Sequence, residues 1–190
     1  MTEVSSRTPS EQGTATPATG GSAQGFTREQ IEALFLNAAR EGDADMLARF
    51  LQAGMDPNLR AEKGYTPLIL ASYNGHKDAV SVLLAHGAKP DLQDEKGATA
   101  LAGVAFKGDM PIANMLLKAG AAVDIPNAVG RTPLIFAVMF GRDDMALLLL
   151  KAGANPTLRD GEGLNAIDLA HRQGKPALEE ALKAVAASLS

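Results

Sequence analysis

Apolar residues along this chain fall into short stripes that are separated by polar, glycine-containing segments. One stripe covers residues 79–84 and another covers residues 146–150. Apolar positions grouped at helical spacing indicate one buried face of an α-helix. Each stripe runs up to a glycine, Gly87 or Gly153, which can adopt positive φ and end a helix at low steric cost. The pattern therefore predicts short amphipathic helices with glycine at their ends.

Glycines recur along the chain at an interval of 33 residues. Three series share this interval: Gly64, Gly97, Gly130 and Gly163; Gly42, Gly75, Gly108, Gly141 and Gly174; and Gly54, Gly87, Gly120 and Gly153. The first series opens similar segments, Gly-Tyr-Thr-Pro-Leu over 64–68 and Gly-Arg-Thr-Pro-Leu over 130–134. Threonine can cap a helix through its hydroxyl, and the proline after it suits the first helical turn. A first helix is therefore predicted to start after each threonine, and a second helix to return after the next glycine.

One helix pair of this length cannot bury its apolar stripe alone, so pairs must stack on one another. The polar segments 88–96 and 154–162 are predicted to be extended turns between pairs. Helices at 32–40 and 44–51 form an N-terminal cap, and a charged helix over 173–189 shields the other end. The predicted units are 29–62, 63–95, 96–128, 129–161 and 162–190.

The repeated segments resemble the ankyrin repeat, which carries a Thr-Pro-Leu-His element at this period. The resemblance covers residues 29 to about 187. It implies an all-α repeat solenoid of helix-turn-helix units with β-hairpin fingers, about five units including both caps. The chain departs from the pattern at the histidine position, which holds Ile69, Ala102, Ile135 and Asp168.

The repeat over residues 96–128 departs furthest from the ankyrin pattern. Ala100 stands where proline is expected, and Gly103 stands where a core leucine is expected. Glycine inside a helix costs about 1 kcal/mol relative to alanine. We therefore expect the array to be least stable near residues 97–108.

Residues 1–26 have a different composition, rich in Ser, Thr, Gly, Pro, Ala and Gln, and are predicted to be a disordered tail before a repeat domain over 27–190. Aromatic residues make up only 4% of the chain, which predicts an aliphatic core. The net charge of −4 argues against nucleic acid as a partner. The sequence has no stretch that predicts a membrane span or a signal peptide, and no cysteine, so a cytoplasmic protein is expected.

No residue pattern predicts catalysis. The histidines His76, His86 and His171 lack the spacing of metal ligands, and no phosphate-binding glycine loop or nucleophilic serine motif occurs. His76 is expected to make a local structural hydrogen bond. We therefore predict no enzyme activity, no metal and no cofactor.

The resemblance implies a concave surface lined by the fingers and the first helices. The two residues before each helix-ending glycine point into it, which places Tyr73, Phe106 and Met139 in one register. Aromatic and methionine side chains suit binding sites, although Phe106 or Met139 could instead pack between the helices as core. The candidate protein-binding residues are Tyr65, Tyr73, Asn74, Lys96, Phe106, Lys107, Arg131, Met139, Phe140 and Arg172.

The predicted function is a non-catalytic module, monomeric on its own, that binds another protein rather than nucleic acid or membrane. The resemblance implies a regulator, inhibitor or accessory subunit. Two alternatives are a stabilising factor of an enzyme such as a catalase, a role associated with some bacterial ankyrin proteins, and a toxin-neutralising immunity protein. A hydrolase with its site in the groove has no residue constellation behind it.

Overall fold

The computed structural model describes residues 25–189, so all but the last two residues of the predicted tail over 1–26 lie outside the described residues. Within 25–189 the chain forms ten α-helices, a single 3-10 turn at Glu62–Gly64 and no β-strand. The helices are α1 (Arg28–Glu41), α2 (Ala44–Gln52), α3 (Pro67–Tyr73), α4 (Lys77–Ala85), α5 (Ala100–Lys107), α6 (Met110–Lys118), α7 (Pro133–Met139), α8 (Asp143–Lys151), α9 (Ala166–Arg172) and α10 (Pro176–Ser188).

The helix starts predicted after Thr66 and Thr132 are confirmed. The Thr66 hydroxyl accepts a hydrogen bond from the Ile69 N–H at 3.2 Å, and Thr132 caps α7 in the same way. Thr99 also caps α5, although Ala100 replaces the proline there. The threonine cap is therefore sufficient to start the helix, because it satisfies an amide that has no partner in the first turn.

The helices stack as two rows. The first helices of the pairs, α1, α3, α5, α7 and α9, pack one against the next, and each second helix packs against its own first helix. The core lies between the rows, as a helical repeat solenoid requires. Its largest fully buried side chains are Phe35, Leu47, Leu68, Leu83, Leu101, Ile112, Leu116, Leu134, Ile135, Met145, Leu149 and Leu182.

The expected β-hairpin fingers are not confirmed, because residues 25–189 contain no strand. Each finger is a tight turn closed by a bond such as Asp94 N–H to Ala98 O, at 3.0 Å. One backbone hydrogen bond joins each finger to the next, which is too few for a ladder. These bonds run from Glu95 N to Lys63 O (3.0 Å), from Ala128 N to Lys96 O (2.9 Å) and from Gly161 N to Val129 O (2.8 Å).

A second series of hydrogen bonds ties consecutive repeats at the base of the fingers. Its acceptors are side chains spaced 33 residues apart, Asn58, Asp91 and Asp124, which take the N–H groups of Lys89, Ala122 and Asn155. Burial raises the pKa of the Asp124 carboxyl, and the Asn155 N–H opposes this rise. The regular Asn/Asp spacing is visible in the sequence and is a signal from which these contacts can be recognised.

Both terminal helices begin elsewhere than predicted. Helix α1 begins at Arg28, ahead of the expected residue 32, because Thr27 and Gln30 form a reciprocal capping box. Helix α10 begins at Pro176 and not at 173, since Gly174 has a φ of 64° and ends the preceding turn.

His76 makes a structural hydrogen bond, as expected, but the bond joins two repeats and is not local. Its Nε2 lies 3.0 Å from the carbonyl oxygen of Arg40, which belongs to the preceding repeat. Arg142, 66 residues further along, likewise donates from Nε to the Phe106 carbonyl at 3.2 Å. In these two repeats the residue after the helix-ending glycine therefore ties the repeat to the one before it.

Candidate protein-binding surface

Three aromatic rings from three consecutive first helices lie in contact, and we call Tyr73, Phe106 and Phe140 the aromatic row. The rings of Tyr73 and Phe106 stack with centroids 6.4 Å apart and planes 11° apart. The rings of Phe106 and Phe140 meet edge to face at 4.4 Å and 77°. Both arrangements are favoured by the ring quadrupoles. Helix packing thus joins side chains that are 33 or more residues apart in sequence.

The two ends of the aromatic row are open to solvent. Tyr73 is 45% exposed and Phe140 is 44% exposed, whereas Phe106 is half-buried between them. Met139 is half-buried and packs on the core, so the ring contacts continue through Phe140 instead. Phe136 then extends the contact, with its ring centroid 6.5 Å from that of Phe140.

Two polar side chains, Lys107 and Asn74, lie beside the aromatic row. The Lys107 ammonium lies 4.4 Å from the centroid of the Tyr73 ring, a cation–π geometry. The Asn74 side chain donates to the Leu70 carbonyl at 2.8 Å and closes the end of α3. Predicted residues Tyr73, Asn74, Phe106, Lys107 and Phe140 are therefore brought together.

A cavity of about 350 Å³ opens between α3, α5 and the adjoining finger, and we call it the Gly103 cavity. It is lined by Tyr65, Ile69, Leu70, Tyr73, Asn74, Asp94, Thr99, Ala100 and Gly103. At the register of Gly103 the repeats that begin with α3, α7 and α9 carry Leu70, Phe136 and Leu169, and the N-terminal cap carries Asn37. The space lies where one large side chain is absent.

A second cavity, of about 250 Å³, lies beside it along the fingers. It is lined by Lys63, Tyr65, Asp94, Glu95 and Lys96, so Tyr65 and Asp94 border both cavities. The Asp94 Oδ1 accepts the N–H groups of Lys96 (2.9 Å) and Ala98 (2.8 Å), which shapes this finger. Predicted residues Tyr65 and Lys96 therefore lie next to the aromatic row, on its finger side.

Arg131 is engaged within the protein. Its Nε lies 3.2 Å from Asp160 Oδ2 and its Nη2 lies 2.7 Å from Glu162 Oε1, which links two fingers. The Asp160 side chain is 1% exposed. Burial alone raises the pKa of this carboxyl, but hydrogen bonds from Leu164 N–H, Arg131 and Glu162 N–H outweigh burial and hold it below its ordinary value.

Arg172 lines a different cavity, of about 550 Å³, beside α9 and α10. On the same cavity, Glu179 pairs with Lys183 at 2.5 Å and with the His171 ring at 3.1 Å. These two hydrogen bonds lower the pKa of the Glu179 carboxyl, and the bond from Lys183 has the larger effect. The arrangement is a charge network between the last two helices.

The described part of the chain holds neither a metal-ligand cluster nor a membrane-spanning helix. Across residues 25–189, no three His, Asp or Glu side chains converge as metal ligands. No helix in this range has the length and apolar character to cross a bilayer.

Sequence reasoning missed three residues of this surface: Gly103, Asp94 and Phe136. The sequence predicts Gly103 only as a source of helix instability, although comparison with Leu70 and Phe136 at the same register shows missing volume. Asp94 belongs to a polar turn segment, and its place beside Tyr65 depends on how two repeats pack.

The comparisons with known proteins agree with this architecture. The family model described as ankyrin repeats (3 copies) matches residues 34–127 and 87–160. The chain is also 46% identical over 48 residues to the ankyrin repeat protein PA3287 of Pseudomonas aeruginosa, an alignment that covers 25% of this chain and 28% of that relative. Ankyrin repeats are generally protein-interaction modules without catalytic activity. With matches spanning most of the described helices, this chain belongs to the ankyrin repeat family.

Proposed function

We propose that this chain is a non-catalytic protein-binding protein that holds its partner on the surface formed by α3, α5, α7, α9 and the adjoining fingers. The proposal assigns it the role of a regulator, inhibitor or accessory subunit that acts as a monomer in the cytoplasm. The binding residues are Tyr65, Tyr73, Asn74, Lys96, Phe106, Lys107, Arg131, Met139, Phe140 and Arg172.

The aromatic row is the observation that carries this proposal. Large rings that are already packed against one another lose little conformational freedom on binding, so their burial contributes strongly to affinity. Tyr73 and Phe140 expose nearly half of their surface at the two ends of the row. An ankyrin scaffold carries many unrelated partners, so surface residues of this kind decide which partner binds.

The predicted residues contribute in different ways. Tyr73, Phe106 and Phe140 supply apolar contact at the centre, while Lys96 and Lys107 supply charge at the edge, which steers and orients a partner. Arg131 is held by Asp160 and Glu162, so its side chain is already ordered before a partner binds.

The test is affinity capture from the native cells followed by binding measurements with the captured partner. We expect Phe106→Ala to weaken binding by at least about 2 kcal/mol and the Tyr73→Ala, Phe106→Ala double variant to lose the partner. The matched control is Leu147→Ala on α8, since Leu147 is 39% exposed and lies in the second row of helices. Thermal unfolding checks that each variant is folded. Equal affinity of the wild type and the double variant would disprove the proposal.

A further inference from the structure

We propose that the Gly103 cavity receives one bulky apolar side chain, a leucine, isoleucine, methionine or phenylalanine, from a partner segment that carries a lysine or arginine next to it. This inference rests on the proposed function and names the chemistry of the partner at one place on that surface.

The first argument is the register of the repeats. Leu70 and Leu169 are each 8% exposed at the position of Gly103, and Phe136 is half-buried there. Repeats on either side of α5 thus fill this position with their own large side chain. A side chain of similar size from outside the protein fits the space that Gly103 leaves.

The second argument is that the backbone does not require this glycine. Gly103 lies inside α5, and its φ is not in the left-handed region where glycine is favoured. A Cβ at this position would meet one neighbour, Tyr73 Cδ2 at 3.3 Å. Glycine destabilises the middle of a helix, so Gly103 does not serve the stability of α5. What it provides is the open space beside Tyr73.

The third argument is the apolar lining. The cavity is faced by Tyr65, Ile69, Leu70 and Tyr73. An apolar side chain that enters it is removed from water by contact with all four. The cavity adjoins the aromatic row through Tyr73, so an anchored side chain and the rings form one continuous apolar contact.

The fourth argument is charge. Among the described residues that line the cavity, Asp94 is the only one with an acidic or basic side chain. Its carboxylate charge is not needed for the shape of the finger, because Asn127 accepts the equivalent N–H groups of Val129 and Arg131 in the next repeat. A negative charge at the rim of an apolar cavity complements a cationic residue beside the apolar anchor.

The experiment selects phage-displayed random dodecapeptides on the full chain and measures the selected peptides by fluorescence anisotropy. We expect selected peptides to contain a bulky apolar residue next to lysine or arginine. Gly103→Leu, which fills the cavity, is expected to weaken them about tenfold or more. Asp94→Asn, which keeps the Oδ1 acceptor, is expected to weaken them about threefold, and this loss disappears when the basic residue of the peptide is replaced by alanine.

Circular dichroism checks that Gly103→Leu is folded, and Gly103→Ala provides a milder variant with an intermediate loss if it is not. Leu147→Ala is the matched control and leaves affinity unchanged. The inference is overturned if no peptide is enriched, or if the peptides bind Gly103→Leu as tightly as the wild type.

The two proposals fail separately. Loss of binding in the Tyr73→Ala, Phe106→Ala variant without loss in Gly103→Leu supports the proposed function and overturns the cavity. Another possible occupant of the cavity is a second copy of this chain, which sedimentation velocity tests. A wild-type dimer that dissociates in Gly103→Leu would place that copy in the cavity and overturn the proposal of a separate partner.

Discussion

The α5–α6 repeat and the α7–α8 repeat share a backbone arrangement but differ in side-chain volume. Thr99 and Thr132 cap the first helices with the same hydroxyl bond. Two of the positions that differ change the side-chain volume most: Ala102 corresponds to Ile135, and Gly103 corresponds to Phe136. Cap and turn residues therefore specify the repeat, whereas side-chain volume at a few positions decides whether its surface carries a cavity or an aromatic side chain.

The fingers of these two repeats differ as well. Arg131 in one finger reaches Asp160 in the next, whereas Ala98 stands at the equivalent position one repeat earlier, opposite Asn127. The junction after the α7 finger therefore has an ion pair with a buried carboxylate in addition to its backbone bond. The α5 finger instead reaches the next finger through Gln93 Nε2, which donates to the Pro126 carbonyl at 3.0 Å. The α5 repeat therefore has less side-chain bulk than the α7 repeat and lacks its ion pair.

The largest loss of stability is expected for Ile135→Ala, which gives α7 the alanine that α5 has at this position. Ile135 is 1% exposed, so Ile135→Ala leaves a cavity in the core. The free energy of unfolding should fall by about 3 kcal/mol, measured by urea denaturation. Leu147→Ala on the exposed face of α8 should change it by less than about 0.5 kcal/mol. A loss below about 1 kcal/mol for Ile135→Ala would mean that α7 does not depend on this bulk.

The next effect concerns the Arg131–Asp160 pair and depends on pH. Hydrogen bonds hold the pKa of Asp160 below its ordinary value in the folded protein, so folding favours the ionised form. This contribution is present above the ordinary aspartate pKa of about 3.9 and is lost as the pH falls through the lower folded value. Asp160→Asn should lower the free energy of unfolding by about 1–2 kcal/mol at neutral pH.

The same variant should converge with the wild type in acid, which urea denaturation at several pH values will show. Asp94→Asn is the matched control, because Asp94 accepts the corresponding backbone bonds two repeats earlier, where Tyr65 and not an arginine stands at the position of Arg131. It should cost less at neutral pH. A difference for Asp160→Asn that stays constant with pH would contradict the assigned role of its charge.

The sequence predicted the helices better than the surface between them. Thr66 and Thr132 act on amides three residues away, so their role can be recognised locally. The partner of Phe106 could not be recognised in this way, because contact with Phe140 and not Met139 depends on how adjacent helices turn their side chains. The Gly103 cavity escaped prediction for the same reason, since its walls come from α3 as well as α5.

A smaller effect is expected at Ser72, where α3 differs from both compared repeats. Ser72 is 1% exposed and its hydroxyl has no hydrogen-bond partner in the described structure, whereas Ala105 and Val138 stand at the same register. A buried hydroxyl without a partner is destabilising. Ser72→Ala should therefore raise the free energy of unfolding by about 1 kcal/mol, seen as a higher Tm. A lower Tm would show that the hydroxyl has a stabilising contact.

The smallest effect is expected for Gly103→Ala, where two contributions oppose each other. Alanine favours the middle of α5 by about 1 kcal/mol over glycine. Its Cβ would also meet Tyr73 Cδ2 at 3.3 Å, so the ring must move by a few tenths of an ångström. The net change should be a stabilisation of about 0.5 kcal/mol or less.

Amide hydrogen exchange measures this change locally. The α5 amides should exchange faster than the α7 amides in the wild type and should slow in the variant, while the α7 amides stay unchanged. Equal exchange of α5 and α7 amides in the wild type would contradict the expectation that residues 97–108 are the least stable part of the array. It would mean that packing against the neighbouring helices fully offsets the destabilising effect of the glycine.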